Sequence, residues 1–206
     1  MTLHEYLQSI KGKTAAVIGL GVSNRPLVEL LAKSGVRVIA CDKKERAALG
    51  DAAADYEALG AVLHLGEGYL RGLDADIIFR TPGMRPDVPE LLAAKARGAV
   101  ITSEMEVFFS VCPCPILGVT GSDGKTTTTT IISELLKAQG YTVHLGGNIG
   151  RPLLCDVDDM GKDDAAVLEL SSFQLHSMKC SPDVAVITNL SPNHLDKHRD
   201  FQDYID

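Results

Sequence analysis

Between an apolar run, Pro115–Val119, and an amphipathic one, Ile131–Ala138, stands GSDGKTTTTT, residues 121–130. β-branched threonines lose χ1 freedom in a helix, so five in succession are a poor way to begin one. The stretch makes sense as an anion site. A strand, a glycine-rich turn and a helix starting at Lys125 leave the first helical N–H groups without internal partners, at the positive end of the macrodipole. Gly121 and Gly124 let the backbone wrap a phosphate, because glycine alone takes positive φ at little cost. Lys125 adds a full charge, and Thr126 a hydroxyl suited to Mg²⁺. Contacts of that kind contribute about 1.5–3 kcal/mol each, against a few tenths lost per threonine. The strict spacing G-x-x-x-x-G-K-[ST] needs glycine at Val119 and is not met; the match is the shorter T-G-x-x-G-K-T. Its place between a buried strand and a helix reads as nucleotide binding, with Gly121, Ser122, Asp123, Gly124, Lys125, Thr126 and Thr127 as the phosphate loop.

The rest of the chain alternates in the same way. TAAVIG (14–19), VRVIACD (36–42), ADIIF (75–79) and AVIT (99–102) read as buried parallel strands. NRPLVELLAKSG (24–35), RAALGDAAADYEAL (46–59) and VPELLAAKARG (88–98) read as helices between them. After a break at SVCPCP (110–115), ILGVT, YTVHL, AAVLEL (165–170) and DVAVITNL (183–190) are strands. The predicted class is α/β: a Rossmann-like parallel-sheet domain over 1–110, then a P-loop α/β ATPase domain over 111–206. HRDFQDYID places Phe201, Tyr204 and Ile205 at helical spacing, and the reading is of a helix cut through, hence of a C-terminally truncated ATPase domain and a fragment inactive by itself.

GLGVSNRP (19–26) also follows a strand and opens a helix, with Asp42 ending the next strand. Asn24 stands where a dinucleotide fingerprint has its third glycine, so a mononucleotide reading fits better than NAD: Ser23 and the helix start take a phosphate, and Asp42 a base or ribose. A tight turn that binds nothing is the bland alternative. TPG (81–83) belongs to the same sheet edge.

Glu169 lies near the end of a buried strand, where a carboxylate is costly unless paired or metal-bound. His194 follows another strand. The simplest account is a Mg²⁺–triphosphate site in which Thr126, Glu169 and His194 supply the metal ligands. His144 and His176 have no such context and are read as structural, Asp123 and Asp196 as turn formers or caps.

Net charge is −7 with pI near 5.3 and there is no Trp, which argues against a nucleic-acid surface. No apolar run spans a bilayer, and no signal-peptide core opens the chain, so a cytoplasmic monomer without membrane insertion is the default. The five cysteines form no C-x-x-C pair, and CPC (112–114) reads as free thiols.

Taken together, GVTGSDGKTTT, GGNIGRPL (146–153), ELSSFQL (169–175) and FRTPGMRPDVPEL (79–91) resemble the ATP-dependent Mur ligases of peptidoglycan synthesis, specifically the D-glutamate-adding branch. The third-residue-adding branch carries a histidine where this chain has Phe173. The resemblance implies UDP-N-acetylmuramoyl-L-alanine, D-glutamate and ATP as substrates, with Mg²⁺. It implies Ser23, Asp42 and Gly83 at the UDP moiety; Asn148, Ser171 and His194 near the phosphates and reacting carboxyl; and Lys125, Glu169 and His194 as the catalytic set. Two departures stand out: Asn193 where many relatives have an acid, and a carbamylated lysine and third domain that would lie beyond Asp206. Other readings are a sister Mur ligase or folylpolyglutamate synthase, a non-catalytic UDP-sugar module, and an NAD-dependent oxidoreductase.

Overall fold

The computed structural model describes residues 1–21, 24–192 and 200–205. The chain divides into two compact units, Met1–Val107 and Phe108–Asp206. Both are built on parallel sheets, and the fold class is the expected one: a Rossmann-like α/β unit followed by a P-loop α/β unit.

The first unit opens with α1 (Leu3–Ile10). Thr2 caps it: the Thr2 hydroxyl accepts the Glu5 N–H while the Glu5 carboxylate accepts the Thr2 N–H. There follow β1 (Thr14–Ile18), α2 (Arg25–Lys33), β2 (Arg37–Asp42), α3 (Arg46–Leu49), α4 (Asp51–Ala58), β3 (Val62–Leu65), β4 (Ile77–Phe79), α5 (Pro89–Ala96) and β5 (Val100–Thr102). The strand order is β3-β2-β1-β4-β5. The chain winds outward from β1 in one direction and then restarts on its other side, so β1 and β4 flank a topological switch point. Open α/β sheets bind ligands there, outside the carboxyl ends of the strands. The core is apolar on both faces of β1, where Ala15, Ala16, Val17 and Ile18 are buried, and α2 lays Leu27, Val28 and Leu31 onto the sheet. Each such leucine contributes about 1.5–3 kcal/mol when fully buried.

Helix α6 (Glu104–Val111) begins in the first unit and ends in the second, which continues with β6 (Ile116–Thr120), α7 (Lys125–Ala138), β7 (Val143–Gly147), β8 (Ala165–Glu169), α8 (Ser172–Leu175), β9 (Val184–Ile187) and α9 (Phe201–Ile205). The order is β7-β8-β6-β9. All pairings are parallel, so β6, β8 and β9 deliver their C-terminal ends to one edge.

Several expected elements shift. The helix read over 46–59 is two helices, because Gly50 adopts φ 56 between them. β3 was not foreseen; its four residues form an edge strand with none fully buried. The strand read at YTVHL begins two residues later and runs through Gly147, where glycine permits a close approach described below. β9 is four residues long, and Thr188–Ser191 leave the sheet to serve the phosphate loop. All five cysteines carry free thiols, with Cys112 Sγ 3.6 Å from Cys114 Sγ. Burial pushes the Cys112 thiol up to about 12, so it stays protonated at neutral pH.

Candidate active site

The loop after β6 has the geometry its composition asked for. Gly121 takes φ 130 and Gly124 φ 77, both in the region that favours glycine. A Cβ on Gly121 would lie 2.2 Å from Thr188 Oγ1 and 2.8 Å from the Asn189 carbonyl oxygen, so the loop also presses against the segment after β9. Lys125 opens α7 and folds back over the loop, donating from Nζ to the carbonyls of Gly121 (2.7 Å) and Ser122 (2.9 Å).

The threonine run is used unevenly. Thr126 donates its hydroxyl to Glu169 Oε2 at 2.6 Å. Thr129 and Thr130 donate to the carbonyls of Lys125 and Thr126, each at 2.8 Å, so these hydroxyls stay satisfied against their own helix. Thr129 is fully buried, which a free hydroxyl would make costly.

Glu169 ends β8 and is 2% exposed. Besides the Thr126 hydroxyl, its carboxylate accepts from Asn148 Nδ2 at Oε1, 2.9 Å away. The Asn148 N–H donates to the Glu169 carbonyl at 2.7 Å. Gly147 makes this possible: with φ 94 it brings β7 so close that a Cβ there would lie 2.1 Å from the Glu169 carbonyl oxygen. Thr126, Asn148 and Glu169, chosen from three separate stretches of sequence, are therefore brought together. Thr126 and Glu169 offer oxygen donors, which suit a hard divalent cation. Among the described residues no group of three or more His, Cys, Asp or Glu is gathered as a metal site. His194, the third expected ligand, lies outside the described residues, as do Asn193 and Asp196.

Sequence reasoning missed what holds the loop. Asn189 pairs with the Asp123 peptide on both sides: its Oδ1 accepts the Asp123 N–H (3.1 Å) and its Nδ2 donates to the Asp123 carbonyl (3.0 Å). The Thr188 hydroxyl lies 2.6 Å from the Asp123 carbonyl oxygen and 3.1 Å from that of Thr120. Ser122, 4% exposed, donates its hydroxyl to the Ser191 carbonyl and accepts the Ser191 N–H, both at 2.8 Å, with Tyr204 Oη 2.9 Å away. The Asp123 side chain itself plays no part in these bonds; it is the peptide that is held. Thr127 is exposed on the first turn of α7.

Ser171 caps α8: its hydroxyl accepts the Gln174 N–H, and its own N–H donates to Gln174 Oε1 at 2.9 Å. His144 Nε2 lies 2.9 Å from Asp164 Oδ2. His176 lines a pocket beside the loop with Thr120, Gly121, Leu190 and Tyr204.

In the first unit the switch-point edge is formed by the ends of β1, β2 and β4. Ser23 lies outside the described residues. Asp42 is 8% exposed, and its carboxylate accepts the N–H groups of Leu20 (2.7 Å) and Lys44 (2.9 Å). It is thus a clamp on two turns, with lone pairs left on each oxygen for a ligand hydroxyl. Asn24, in place of a third glycine, donates from Nδ2 to the carbonyls of Gly19 (2.6 Å) and Ile18 (3.3 Å) and closes the turn onto β1. Gly83 has nothing within 4 Å of where a Cβ would stand, so it faces open space.

A doubly wound parallel unit followed by a phosphate-loop unit, with a buried glutamate hydrogen-bonded to the loop's threonine, defines a nucleotide-binding α/β protein of the P-loop kind. The Mur ligase middle domain matches residues 119–206, and the chain belongs to the Mur ligase family. It is 55% identical over 197 residues to the UDP-N-acetylmuramoylalanine--D-glutamate ligase of Clostridium botulinum (strain Hall), a match covering 95% of this chain and 43% of that protein. The enzyme of the same name from Acetivibrio thermocellus is 52% identical over 204 residues, covering 98% of this chain and 44% of the relative. The chain thus spans less than half the length of these relatives. Among solved structures, a UDP-N-acetylmuramate:L-alanyl-gamma-D-glutamyl-meso-diaminopimelate ligase from Neisseria meningitides superposes with TM-score 0.51 at 19% identity, over 93% of this chain and 65% of that one, a likeness of fold.

Proposed function

We propose that this chain carries the nucleotide-substrate and ATP sites of a ligase that joins D-glutamate to UDP-N-acetylmuramoyl-L-alanine, acting in the cytoplasm as a monomer. The observation that carries the reading is the Thr126–Glu169 hydrogen bond at the head of the phosphate loop, in a chain 55% identical to ligases of that name. The 1–110 part takes the UDP-linked substrate and the 111–206 part takes ATP.

In this reaction the L-alanine carboxylate attacks the γ-phosphorus of ATP, releasing ADP and forming an acyl phosphate. The D-glutamate amine then attacks the acyl carbon. A tetrahedral intermediate collapses, expelling phosphate, and the amine proton is lost as the amide forms. The first step brings two anions together, so charge neutralisation is the main requirement. Lys125, anchored on the loop carbonyls, supplies a cation where the γ-phosphate lies. Helix α7 supplies the N–H groups of its first turn. Thr126 and Glu169 would hold Mg²⁺ together with His194, and that ion supplies further charge for the phosphates. Asn148 orients the Glu169 carboxylate through Oε1. Ser171 and His194 are assigned to the substrate phosphates and reacting carboxyl. In the first unit Ser23, Asp42 and Gly83 are assigned to UDP; Asn24 filling the third-glycine position supports UDP over a dinucleotide.

Calorimetric titration separates the readings of the first unit. UDP and UDP-N-acetylmuramoyl-L-alanine are expected to bind, and NAD⁺ to give no heat above dilution. Tight NAD⁺ binding with none for UDP would contradict the assignment.

A further inference from the structure

β4 carries Ile77, Ile78 and Phe79 into the middle of the first sheet, and the next residue is an arginine that never reaches solvent: Arg80 is 3% exposed. Its N–H donates to the Thr102 carbonyl at 2.8 Å, which fixes the backbone beside β5. A guanidinium does not shed its proton, so burying it demands compensation. The compensation is the turn that follows. Arg80 Nη1 donates to the carbonyls of Thr81 (3.3 Å), Pro82 (3.0 Å) and Met84. Burial lowers the guanidinium's affinity for its proton, and the nearby Glu106 carboxylate of α6 works in the opposite direction.

The consequence lies on the far side of the turn. In a trans peptide the N–H points opposite to the C=O. With the Pro82 carbonyl drawn inward to the cation, the Gly83 N–H is turned away from it. Gly83 is itself exposed, with nothing within 4 Å of where a Cβ would stand, whereas Thr81 is packed against the β1 turn: a Cβ on Gly19 would come 3.1 Å from Thr81 Cβ. The Met84 N–H closes the turn on the Thr81 carbonyl at 3.0 Å. One buried cation thus shapes a loop whose outer side offers a backbone donor at the switch point of the sheet.

We propose that Arg80 is the positioning residue of the Thr81–Met84 turn, gathering its carbonyls inward so that its outer, donor side meets an oxygen-rich nucleoside diphosphate. The proposal rests on the first unit's reading as a UDP site. Arg80 touches no ligand itself. A side chain of similar length without charge takes the guanidinium donor from all three carbonyls, leaves that of Thr81 with only the Met84 N–H, and frees the turn to rearrange.

Two variants and two measurements test it. In Arg80→Met, hydrogen exchange of the peptide spanning 80–86 in the free protein is expected to be about tenfold faster, while β6 and β8 exchange as in the wild type. UDP affinity is expected to fall about tenfold or more, with ATP affinity unchanged. Arg80→Lys, which keeps the charge but not the fork, is expected to recover part of both losses. If Arg80→Met does not fold, the lysine variant decides, because it should still show intermediate exchange and weakened UDP binding. Wild-type exchange and UDP affinity within about twofold, in whichever variant folds, would overturn the proposal. If the wild-type protein binds no UDP, the first-unit reading fails, and the exchange measurement still decides whether Arg80 orders the turn: unchanged exchange overturns that claim and accelerated exchange upholds it.

Discussion

Lys125→Ala is expected to weaken ATP binding by about tenfold to a hundredfold, as one charge-assisted contact of about 1.5–3 kcal/mol is lost at about 1.4 kcal/mol per decade. The lysine does two things at once. Its Nζ ties the loop by donating to the Gly121 and Ser122 carbonyls, and it places the one full positive charge of GSDGK at the start of α7. The backbone cradle should survive its loss, because Asn189 and Thr188 hold the Asp123 peptide independently. The variant should therefore keep the wild-type far-ultraviolet spectrum and melting behaviour while calorimetry with Mg²⁺ and ATP records the weaker binding. An affinity within about twofold of wild type would mean that this lysine does not face phosphate.

Gly147→Ala should damage the second unit more than any surface change. The residue has φ 94, and its new Cβ would stand 2.1 Å from the Glu169 carbonyl oxygen. That oxygen cannot step aside, because β8 is paired on both sides, to β7 and β6. The strained backbone costs about 1–2 kcal/mol and the overpacking about 1–3 kcal/mol, so a loss of about 2–5 kcal/mol is expected. The same intrusion pushes apart the Asn148 N–H and the Glu169 carbonyl, so ATP binding should fall with stability. Urea denaturation measures the first effect. A change below about 0.5 kcal/mol, the size of an ordinary surface substitution, would show that β7 does not approach β8 as described.

The parallel strands were legible because strands covered on both faces read as short apolar runs closed by glycine or a turn. The phosphate loop was legible because its chemistry is local: two glycines, a lysine and a threonine within six residues. β3 escaped because VLHL is a four-residue edge strand with no alternation or cluster to mark it. The break at Gly50 was in plain view, but the alanines around it favoured one continuous helix. Two short helices had announced themselves and were passed over: T-L-H-E before α1 and S-S-F-Q at α8 are both capping boxes. Tertiary ties were beyond reach in principle. Asn189 meets Asp123 across 66 residues, and no local pattern records that. The burial of Arg80 has no local signal, because a sequence does not show where a cation is buried. Asp42 was read as a ligand group, and its carboxylate turns out to hold two backbone turns as well.

The most direct test of the nucleotide site is a Mg²⁺ titration of ATP binding in the wild type and in Glu169→Gln. The amide keeps the shape: its Oε1 can still accept from Asn148, and the Thr126 hydroxyl can accept from the new NH₂ where it formerly donated. What is lost is the charge a hard cation needs. Wild-type affinity should rise with Mg²⁺, and the variant should lose that dependence while melting close to the wild type. A variant whose melting temperature collapses while its Mg²⁺ dependence is intact would make Glu169 a structural carboxylate and contradict the account.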